Sequence, residues 1–541
     1  MAVLILSDCS DQFLETENKN SLDTGSFFTT ENDLLLAVNA AYTPLEHGGL
    51  FGLNYFYIFN SLDPYIWFEG MAGYDIMNFG PADNYIGRQY SDLYFGLFRT
   101  SDILAKMDKV KGVVAPDKYH QYKAQLKALR GMYYFYLVTW FDQPIYYDET
   151  NVPTNPLVGY SNGTQEQFWT KLEEDLTYAA DSLPVSWATT ETGRITKGAA
   201  NAQLGKALLY KHYHYYLRFG MGETTEAKAN LLKAKDALKR VMDGGAYHLI
   251  MPQAKTKADY QGALLSNFAF IDISVGSKSY VSENNAESVW EVQYNGDPGT
   301  NPSLPGWMSG GNQLYQYFSP NTGSYKNQVI DPSLWNEFES VSGHPGGYSK
   351  DPRAYATCYL QGDTMDWRPA SGYNTGFESL VNAKGNLYTG IYAGFTLSKS
   401  IGLKKYYYPQ LPNSSLGCSP NNVRVIRYAD VLLMYAEACY QYDGDGDGTG
   451  LAALNLVRAR VDMSTISGLT PAAIIHERNV ELATEGHHYN DIIRWSFDPN
   501  FGINFTTLFN NKFDVNKNLF FPIPQSEIDA NKGVLKQNIG W

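Results

Sequence analysis

The sequence has few cysteines, few basic residues and no long apolar run. Four cysteines in 541 residues form no Cys-x-x-Cys pair, so they indicate neither a zinc ribbon nor a disulfide-rich scaffold. No stretch of eighteen apolar residues occurs, so no membrane-spanning helix is predicted. The net charge of −14, with no basic stripe, argues against nucleic acid and anionic membrane surfaces. Neutral or cationic ligands remain compatible with this charge.

Apolar and aromatic residues are abundant. The apolar fraction of 44% predicts a packed core rather than disorder, and aromatic residues make up 15% of the chain. Tyrosine leads with 42 residues against 27 phenylalanines. Because a tyrosine ring is apolar and its tip is polar, we interpret the excess as exceeding the needs of a core and as favouring half-exposed binding surfaces.

Helical periodicity dominates both ends of the chain. Apolar residues recur at steps of three and four in residues 124–141, in the segment after 194–196, and in residues 227–242, 423–440 and 451–460. These helices come in pairs with short connections. Between 250 and 420, Pro, Gly, Asn and Ser become frequent, and only short β-type runs such as 288–294 interrupt the predicted loops. The middle is therefore expected to be a loop-rich region carried by a helical scaffold.

Cys9 differs from the other cysteines. It follows the apolar run Val3–Leu6 and precedes a polar stretch rich in Ser, Asn and Thr. This pattern is typical of the end of a lipoprotein signal, in which the cysteine becomes the lipidated N-terminus. Asp8 stands where a small residue is usual, and the basic and most of the apolar signal regions are missing. An ordinary cysteine is the alternative. Cys358, Cys418 and Cys439 are expected to be buried or singly paired thiols.

The segment 476–495 concentrates carboxylates and arginines. Glu477, Glu481 and Glu485 are four residues apart, which predicts all three on one face of a helix that Gly486 ends. Two such carboxylates would suit the acid and base of glycoside hydrolysis. Because arginines share the segment, we instead predict ion pairs that fix helix packing.

Other polar residues near the C-terminus have a similar interpretation. Arg427, Asp430 and Glu437 lie on or near one predicted helix face and are expected to tie helices together. The run beginning at His476 lacks the second histidine of a His-Glu-x-x-His zinc motif. His487 and His488 are adjacent and would point apart, so no metal is predicted there.

One segment resembles part of a calcium loop. Asp443, Asp445 and Asp447 alternate with glycines, as in the first half of such a loop. The second half fails, because leucines occupy its ninth and twelfth positions. We keep calcium as a candidate cofactor, with a solvated turn as the alternative; no cofactor is required.

Several segments, in order, carry a resemblance to the SusD/RagB family. Ala128–Val138 runs into Trp-Phe-Asp-Gln-Pro, Ile195–Ala200 opens a helix, and Arg427–Ala438 precedes the acidic run 477–495. The remaining matching segments are Glu287–Tyr294, Asp351–Arg353 and the Phe-Pro-Ile-Pro run at 521–524. The resemblance covers nearly the whole chain. His488 departs from it, because the family commonly has arginine there, which puts one scaffold ion pair in doubt.

The resemblance implies a mainly α fold with tetratricopeptide-like helix pairs, a loop-rich middle and a few short strands. It implies a non-enzymatic, surface-exposed lipoprotein of the outer membrane, which captures oligosaccharides and delivers them to a SusC-like TonB-dependent transporter. The expected organisation is a tether at 1–30, a helical region at 31–250, a ligand-binding region at 251–420 and a helical region at 421–541 that completes a single body.

Aromatic residues in loops are the expected ligand-binding groups, since sugar C–H faces stack on aromatic rings and hydroxyls bond to polar side chains. In the family, the site draws on loops after early helices and on the middle region. The candidates in this chain are Tyr65, Trp67, Asp75, Asn78, Asp83, Trp307, Tyr315, Tyr317 and Trp367. Core or loop packing is the alternative for each ring.

Three other functions stay open. The RagB branch is associated with peptides, which would need a broad cleft with polar groups that read a backbone. A helical glycoside hydrolase would need two carboxylates at the aromatic cleft, where Asp75, Asp83 and Asp366 are available. A protein-interaction scaffold would need the paired helices alone.

Overall fold

The computed structural model describes residues 27–68, 73–153, 159–269, 272–296, 310–318, 328–359, 401–406 and 417–541. Long helices dominate its first half, and threonines cap several of them. Thr30 and Thr164 each form a capping box, and Thr196 and Thr224 accept one backbone N–H each. The helices are α1 (Glu31–Glu46), α2 (Asn54–Ser61), α3 (Asn84–Lys106), α4 (Pro116–Phe141), α5 (Gln165–Ser182), α6 (Lys197–Lys211) and α7 (Thr225–Asp243).

Consecutive helices pack as neighbours. Helix α3 packs on α4, α4 on α5, α5 on α6 and α6 on α7. Glycine permits two of these contacts, because a Cβ at Gly131 or at Gly205 would lie 2.8 or 2.4 Å from the leucine of the next helix. The helix pairs predicted from periodicity are confirmed. Helix α6 continues into a π-helical turn at His212–Leu217.

The middle of the chain holds short elements. The helices are α8 (Lys257–Leu265), α9 (Leu314–Phe318), α10 (Pro332–Glu337) and α11 (Pro352–Thr357). The strands are β1 (Ile66–Phe68), β2 (Ile273–Val275), β3 (Lys278–Tyr280), β4 (Ser288–Val292), β5 (Gln328–Ile330), β6 (Cys358–Tyr359), β7 (Ile401–Leu403) and β8 (Val423–Arg427). They form antiparallel sheets with the orders β1-β5-β7-β6, β2-β3 and β4-β8. The first sheet joins an early segment of the chain to the middle region.

The C-terminal part is again helical, with two differences from the predicted boundaries. The helix predicted at 423–440 begins only at Tyr428, because Val423–Arg427 has β-branched residues at alternating positions and pairs with β4. The helix carrying Glu477 and Glu481 ends at Glu481, so Glu485 lies in the following turn. The helices are α12 (Tyr428–Asp443), α13 (Thr449–Arg460), α14 (Pro471–Glu481), α15 (His488–Trp495), α16 (Phe505–Leu508) and α17 (Gln525–Ala530).

Much of the tyrosine excess lies inside the helical scaffold. One apolar cluster runs from Phe28 to Leu535 and contains many buried tyrosines. Several of their hydroxyls bond to backbone carbonyls: Tyr94 donates to Ile145 O at 2.6 Å and Tyr134 to Tyr147 O at 2.6 Å. The interpretation that the excess exceeds the needs of a core is therefore wrong for much of it.

The described cysteines, Cys358, Cys418 and Cys439, are all buried. The expectation of buried thiols is confirmed. Among the described residues, no helix combines the length and hydropathy that a bilayer crossing requires.

Buried ion pairs join α11, β8, α13 and α14 around Glu481. This carboxylate is 4% exposed and accepts from Arg460 at 2.6 Å, Arg427 at 3.0 Å and Arg353 at 3.3 Å. Burial alone would raise the pKa of Glu481, but the three guanidinium groups outweigh it and hold that pKa well below its ordinary range. Glu481 is therefore a structural ion, as predicted.

The two neighbouring glutamates have similar partners. Glu477 accepts from Arg458 at 3.0 Å and also from Arg353. Glu485 accepts from Arg427 at 2.8 Å and from Lys405 at 2.7 Å, although it lies beyond the helix end. The predicted ion pairs are thus confirmed for all three glutamates, but their partners come from other segments. The arginines of the same segment, Arg478 and Arg494, pair with other acids.

A second group of ion pairs ties α12 to its neighbours. Arg478 donates to Asp430 at 2.9 Å and to Asp491 at 2.8 Å. Glu437 accepts from Arg494 at 2.8 Å and from the Tyr213 hydroxyl at 2.7 Å. The expectation that Asp430 and Glu437 tie helices together is confirmed.

Replacing Glu481 by glutamine is expected to lower the free energy of unfolding by about 3–5 kcal/mol, because three buried arginines lose a shared charge. Chemical denaturation near pH 7 measures this. Since the folded pKa of Glu481 is depressed, its contribution is present above the ordinary carboxylate pKa and is lost as the pH falls through the folded value.

The matched control is Asp243→Asn, which removes an exposed pair with Lys239. Its effect should stay below about 1 kcal/mol. Equal effects of the two substitutions would contradict the structural role of Glu481.

Candidate functional site

Tyr65, the first predicted ligand-binding residue, is engaged by the scaffold. Its ring stacks on His488 with 4.9 Å between centroids and 10° between planes. Its hydroxyl bonds to Glu337 and Asn479, and burial raises its pKa well above the ordinary value. One face of the Tyr65 ring, which a sugar could otherwise contact, is therefore covered by His488.

His488 itself keeps an ion pair. Its Nδ1 lies 2.8 Å from Asp63 Oδ1. Burial opposes protonation of His488, but the charge and hydrogen bond of Asp63 outweigh it and raise the histidine pKa. The departure from the family arginine thus replaces the guanidinium by an imidazole without losing the contact with an acid.

The predicted polar residues after β1 divide into two kinds. Asp83 caps α3, because its Oδ1 accepts from Tyr85 N at 2.9 Å, Ile86 N at 3.0 Å and the Tyr74 hydroxyl at 2.7 Å. Asp75 and Asn78 are exposed to solvent. Only the latter two present free polar surface, and Asp83 serves the helix end instead of a catalytic pair.

The two tyrosines predicted in the middle region differ in exposure. Tyr315 is fully buried, so its ring offers no face to a ligand in this structure. Tyr317 is half-buried and packs edge-on against Tyr57, with 5.3 Å between centroids. Tyr57 in turn stacks on Tyr85 at 4.7 Å. Two aromatic segments, an early one with Tyr57 and Tyr85 and a middle one with Tyr317, therefore meet at Tyr57.

The sheet and backbone contacts reinforce this meeting. Strand β1 pairs with β5 so that the backbones of Trp67 and Val329 are opposite each other. Gln313 N donates to Gly52 O at 2.9 Å, immediately before α9. Backbone contacts thus join the middle region to the chain on both sides of α2, at Gly52 before it and at β1 after it.

Three predicted rings cannot be placed. Trp307 and Trp367 lie outside the described residues, and only the backbone of Trp67 is described. They stay predictions, and so does the lipid anchor at Cys9, which also lies outside the described residues.

Sequence reasoning missed Tyr85. It is half-buried and stacks on Tyr57 two positions after the cap Asp83. In the sequence, Tyr85 is marked only by its place at the start of a capped helix. Its partner Tyr57 lies 28 residues earlier, and no local pattern indicates a contact over that separation.

The aspartates of the candidate calcium loop bind backbone groups. Asp445 accepts from Gly450 N at 2.7 Å and Leu451 N at 2.8 Å, at the start of α13. Asp447 accepts from the Thr449 hydroxyl at 2.6 Å, and Asp443 from Gly446 N at 3.1 Å. Within the described ranges, no group of three or more His, Cys, Asp or Glu side chains is arranged for a metal ion. Calcium at this loop stays a prediction.

Replacing Asp445 by alanine without calcium is expected to cost about 1–2 kcal/mol of stability, because two amide donors at the start of α13 lose their acceptor. Thermal or chemical unfolding measures this, with Asp443→Ala as the milder control in the same loop. Isothermal titration with calcium tests the predicted calcium site separately. Heat of binding that is seen in the wild type and lost in Asp445→Ala would support the site, and no heat in either protein would refute it.

The sequence of this chain matches two family models and several known proteins. A family model described as "SusD family" matches residues 286–541, and one described as "Starch-binding associating with outer membrane" matches residues 12–216. A SusD-like protein of Formosa agariphila is 22% identical over 91% of this chain and 88% of its own.

Solved structures of SusD-like proteins have the same fold as this chain. A laminarin-binding SusD-like protein has a TM-score of 0.69 at 22% identity, covering 95% of this chain and 100% of its own. Surface glycan-binding protein A from Bacteroides thetaiotaomicron, in complex with laminarihexaose, has a TM-score of 0.69 at 21% identity, covering 94% of this chain and 100% of its own.

The fold is thus a SusD-type scaffold of paired helices with short sheets and loops in its middle. The chain belongs to the SusD/RagB family, as the sequence segments indicated. Association with the outer membrane is the property that the description of the matching N-terminal family model gives.

Proposed function

We propose that this protein is a non-enzymatic, surface-exposed lipoprotein that captures oligosaccharides and delivers them to a SusC-like TonB-dependent transporter. The observation that carries the proposal is the meeting of two distant aromatic segments at Tyr57. The half-buried rings of Tyr85 and Tyr317 offer apolar faces, and the exposed side chains of Asp75 and Asn78 offer polar groups, which are the two kinds of group that sugar binding requires.

The charges support capture without catalysis. Glu477, Glu481 and Glu485 are buried and paired with cations, and Asp83 is committed to a helix cap. Glycoside hydrolysis needs two carboxyl groups that face a sugar ring. These carboxylates are turned to protein partners instead.

Two relatives supply the ligand class. One is named for laminarin binding, and another was solved with laminarihexaose. We therefore choose laminarihexaose as the first probe, followed by a panel of neutral oligosaccharides of other linkages.

Tyr317→Ala, Trp67→Ala and Trp307→Ala are each expected to weaken binding of the retained glycan about fivefold, because losing one aromatic contact costs on the order of 1 kcal/mol. Affinity gels and calorimetry measure this. Tyr215→Ala is the control, since Tyr215 is half-exposed in the π-helical turn and should leave retention unchanged.

Unchanged retention in all three variants would refute the choice of site. Cleavage of any bound glycan by the purified protein would refute the non-enzymatic function. Binding of peptides with no glycan retained would favour the RagB-type alternative.

Replacement of Cys9 by alanine is expected to move the full-length protein out of the outer-membrane fraction, because the acyl chains have no other attachment point. Fractionation and labelling with a fatty-acid analogue measure this. Unchanged labelling would contradict the anchor, and Cys418→Ala is the control.

A further inference from the structure

A cavity of about 220 Å³ lies away from the aromatic segments described above. It is formed where the end of α1, the turn before α6 and strand β4 come together. Its lining is mixed: Tyr42 and Trp290 contribute rings, and Glu46, Glu191 and Arg194 contribute charges.

The turn is held close to β4 by a glycine. Gly193 has a φ of +95°, and a Cβ built there would lie 2.4 Å from the Gln293 side chain. The absence of a side chain at Gly193 therefore allows the turn to lie close to the end of β4, which sets the shape of this side of the cavity.

Nearly all polar groups in the lining are already bonded. Arg194 donates to Gln125 at 3.0 Å and to Asn39 at 2.7 Å, and its Nε lies 3.3 Å from Glu191. Glu291 pairs with Arg424 at 3.2 Å. The Tyr42 hydroxyl bonds to Gln125 at 3.0 Å.

Two lining groups are exceptions. The indole Nε1–H of Trp290 is buried and has no acceptor among the described residues. Glu46 is half-buried, and its carboxyl group makes no hydrogen bond or ion pair within the described part of the chain. His47, the next residue, is itself paired with Asp92 at 3.0 Å. The lining thus carries one unmatched negative charge when Glu46 is ionised.

We propose that this cavity binds a small organic cation, a primary ammonium group carried on a single ring or on a chain of similar size. A cation would supply the missing partner of Glu46. The rings of Tyr42 and Trp290 would pack against its apolar part and attract its charge. The volume is below the roughly 300–1,000 Å³ of pockets for drug-sized ligands, which limits the guest to about one ring.

A divalent metal fits less well. Within the described residues no group of three or more metal-ligating side chains occurs, and Glu191 is already paired with Arg194. A single carboxylate among aromatic rings suits a cation with an apolar body better than a hard ion that needs six or more oxygens.

The test uses a matched pair of probes, cyclohexylamine and cyclohexanol, which share a ring and differ in charge. At pH 8, ligand-observed NMR titration should show millimolar binding of the amine and at least about tenfold weaker binding of the alcohol. Equal affinities, or no binding of the amine at tens of millimolar, would overturn the proposal.

Glu46→Gln should weaken binding of cyclohexylamine at least about tenfold and leave cyclohexanol unchanged. Glu31→Gln, at the other end of α1, removes the same charge from the protein and should change neither. Retention of glycan should be unaffected by Glu46→Gln, so this proposal and the proposed function can fail independently.

The pH dependence gives a readout that needs no variant. Burial raises the pKa of Glu46 to about 7, although the adjacent His47 lowers it in part. Affinity for cyclohexylamine should therefore fall as the pH drops from 8 to 5, because protonated Glu46 carries no charge. A flat profile would count against the proposal. The other titratable and charged groups around Glu46 are Tyr42, His47, Tyr133, Glu191, Arg194, Glu291 and Tyr294.

The melting temperature shows that the variant folds. A carboxyl group whose folded pKa is raised destabilises the fold as the pH rises through that range. Glu46→Gln should therefore melt higher than the wild type at pH 8 and nearly equally at pH 5. A lower melting temperature at pH 8 would show that Glu46 already has a protein partner, which would overturn the premise.

Discussion

The ion pairs around Glu481 constrain the closure of the fold more than any other contact. Arg353, Arg427 and Arg460 come from three separate elements and meet at one carboxylate that is 4% exposed. Each of these charges is expensive to bury alone, and each becomes acceptable only when the others are in place. Helices α11, α13 and α14 and strand β8 therefore reach their final positions together, and the network selects one arrangement of the C-terminal part.

The same network also fixes the segment after β7 and helix α2. Lys405 donates to Glu485 at 2.7 Å, and the Tyr406 hydroxyl donates to Thr484 O at 2.6 Å, so strand β7 is held against the turn after α14. Asn60 of α2 donates to the same Thr484 O at 2.9 Å. Helix α2 carries Tyr57, where the two aromatic segments meet. The candidate binding region is thus positioned by contacts to the turn that these buried charges hold in place.

The sequence predicts the elements of this fold better than their boundaries and partners. The spacing of three and four residues located the paired helices, and the glutamates at 477, 481 and 485 were rightly interpreted as structural. Spacing alone could not show that α14 ends at Glu481, because Glu485 reaches Arg427 from a turn as well as from a helix. Arg353 and Glu477 lie 124 residues apart, so no local pattern reveals their contact. Aromatic residues are harder still, since burial of Tyr315 and half-burial of Tyr317 follow from tertiary packing alone.

Function in this protein is best sought among the groups that the scaffold leaves partly exposed. The glutamates of the central network are fully engaged, and a ligand could compete for them only by breaking several ion pairs. Tyr85 and Tyr317 keep part of their rings exposed, and Glu46 keeps a half-buried carboxyl group in a cavity. The two places differ in chemistry: one offers aromatic faces to a neutral chain, and the other offers a single charge to a small cation. A net charge of −14 favours the approach of a cation without disturbing the binding of a neutral glycan. The two proposed sites are independent, because neither of them uses the carboxylates of the central ion-pair network.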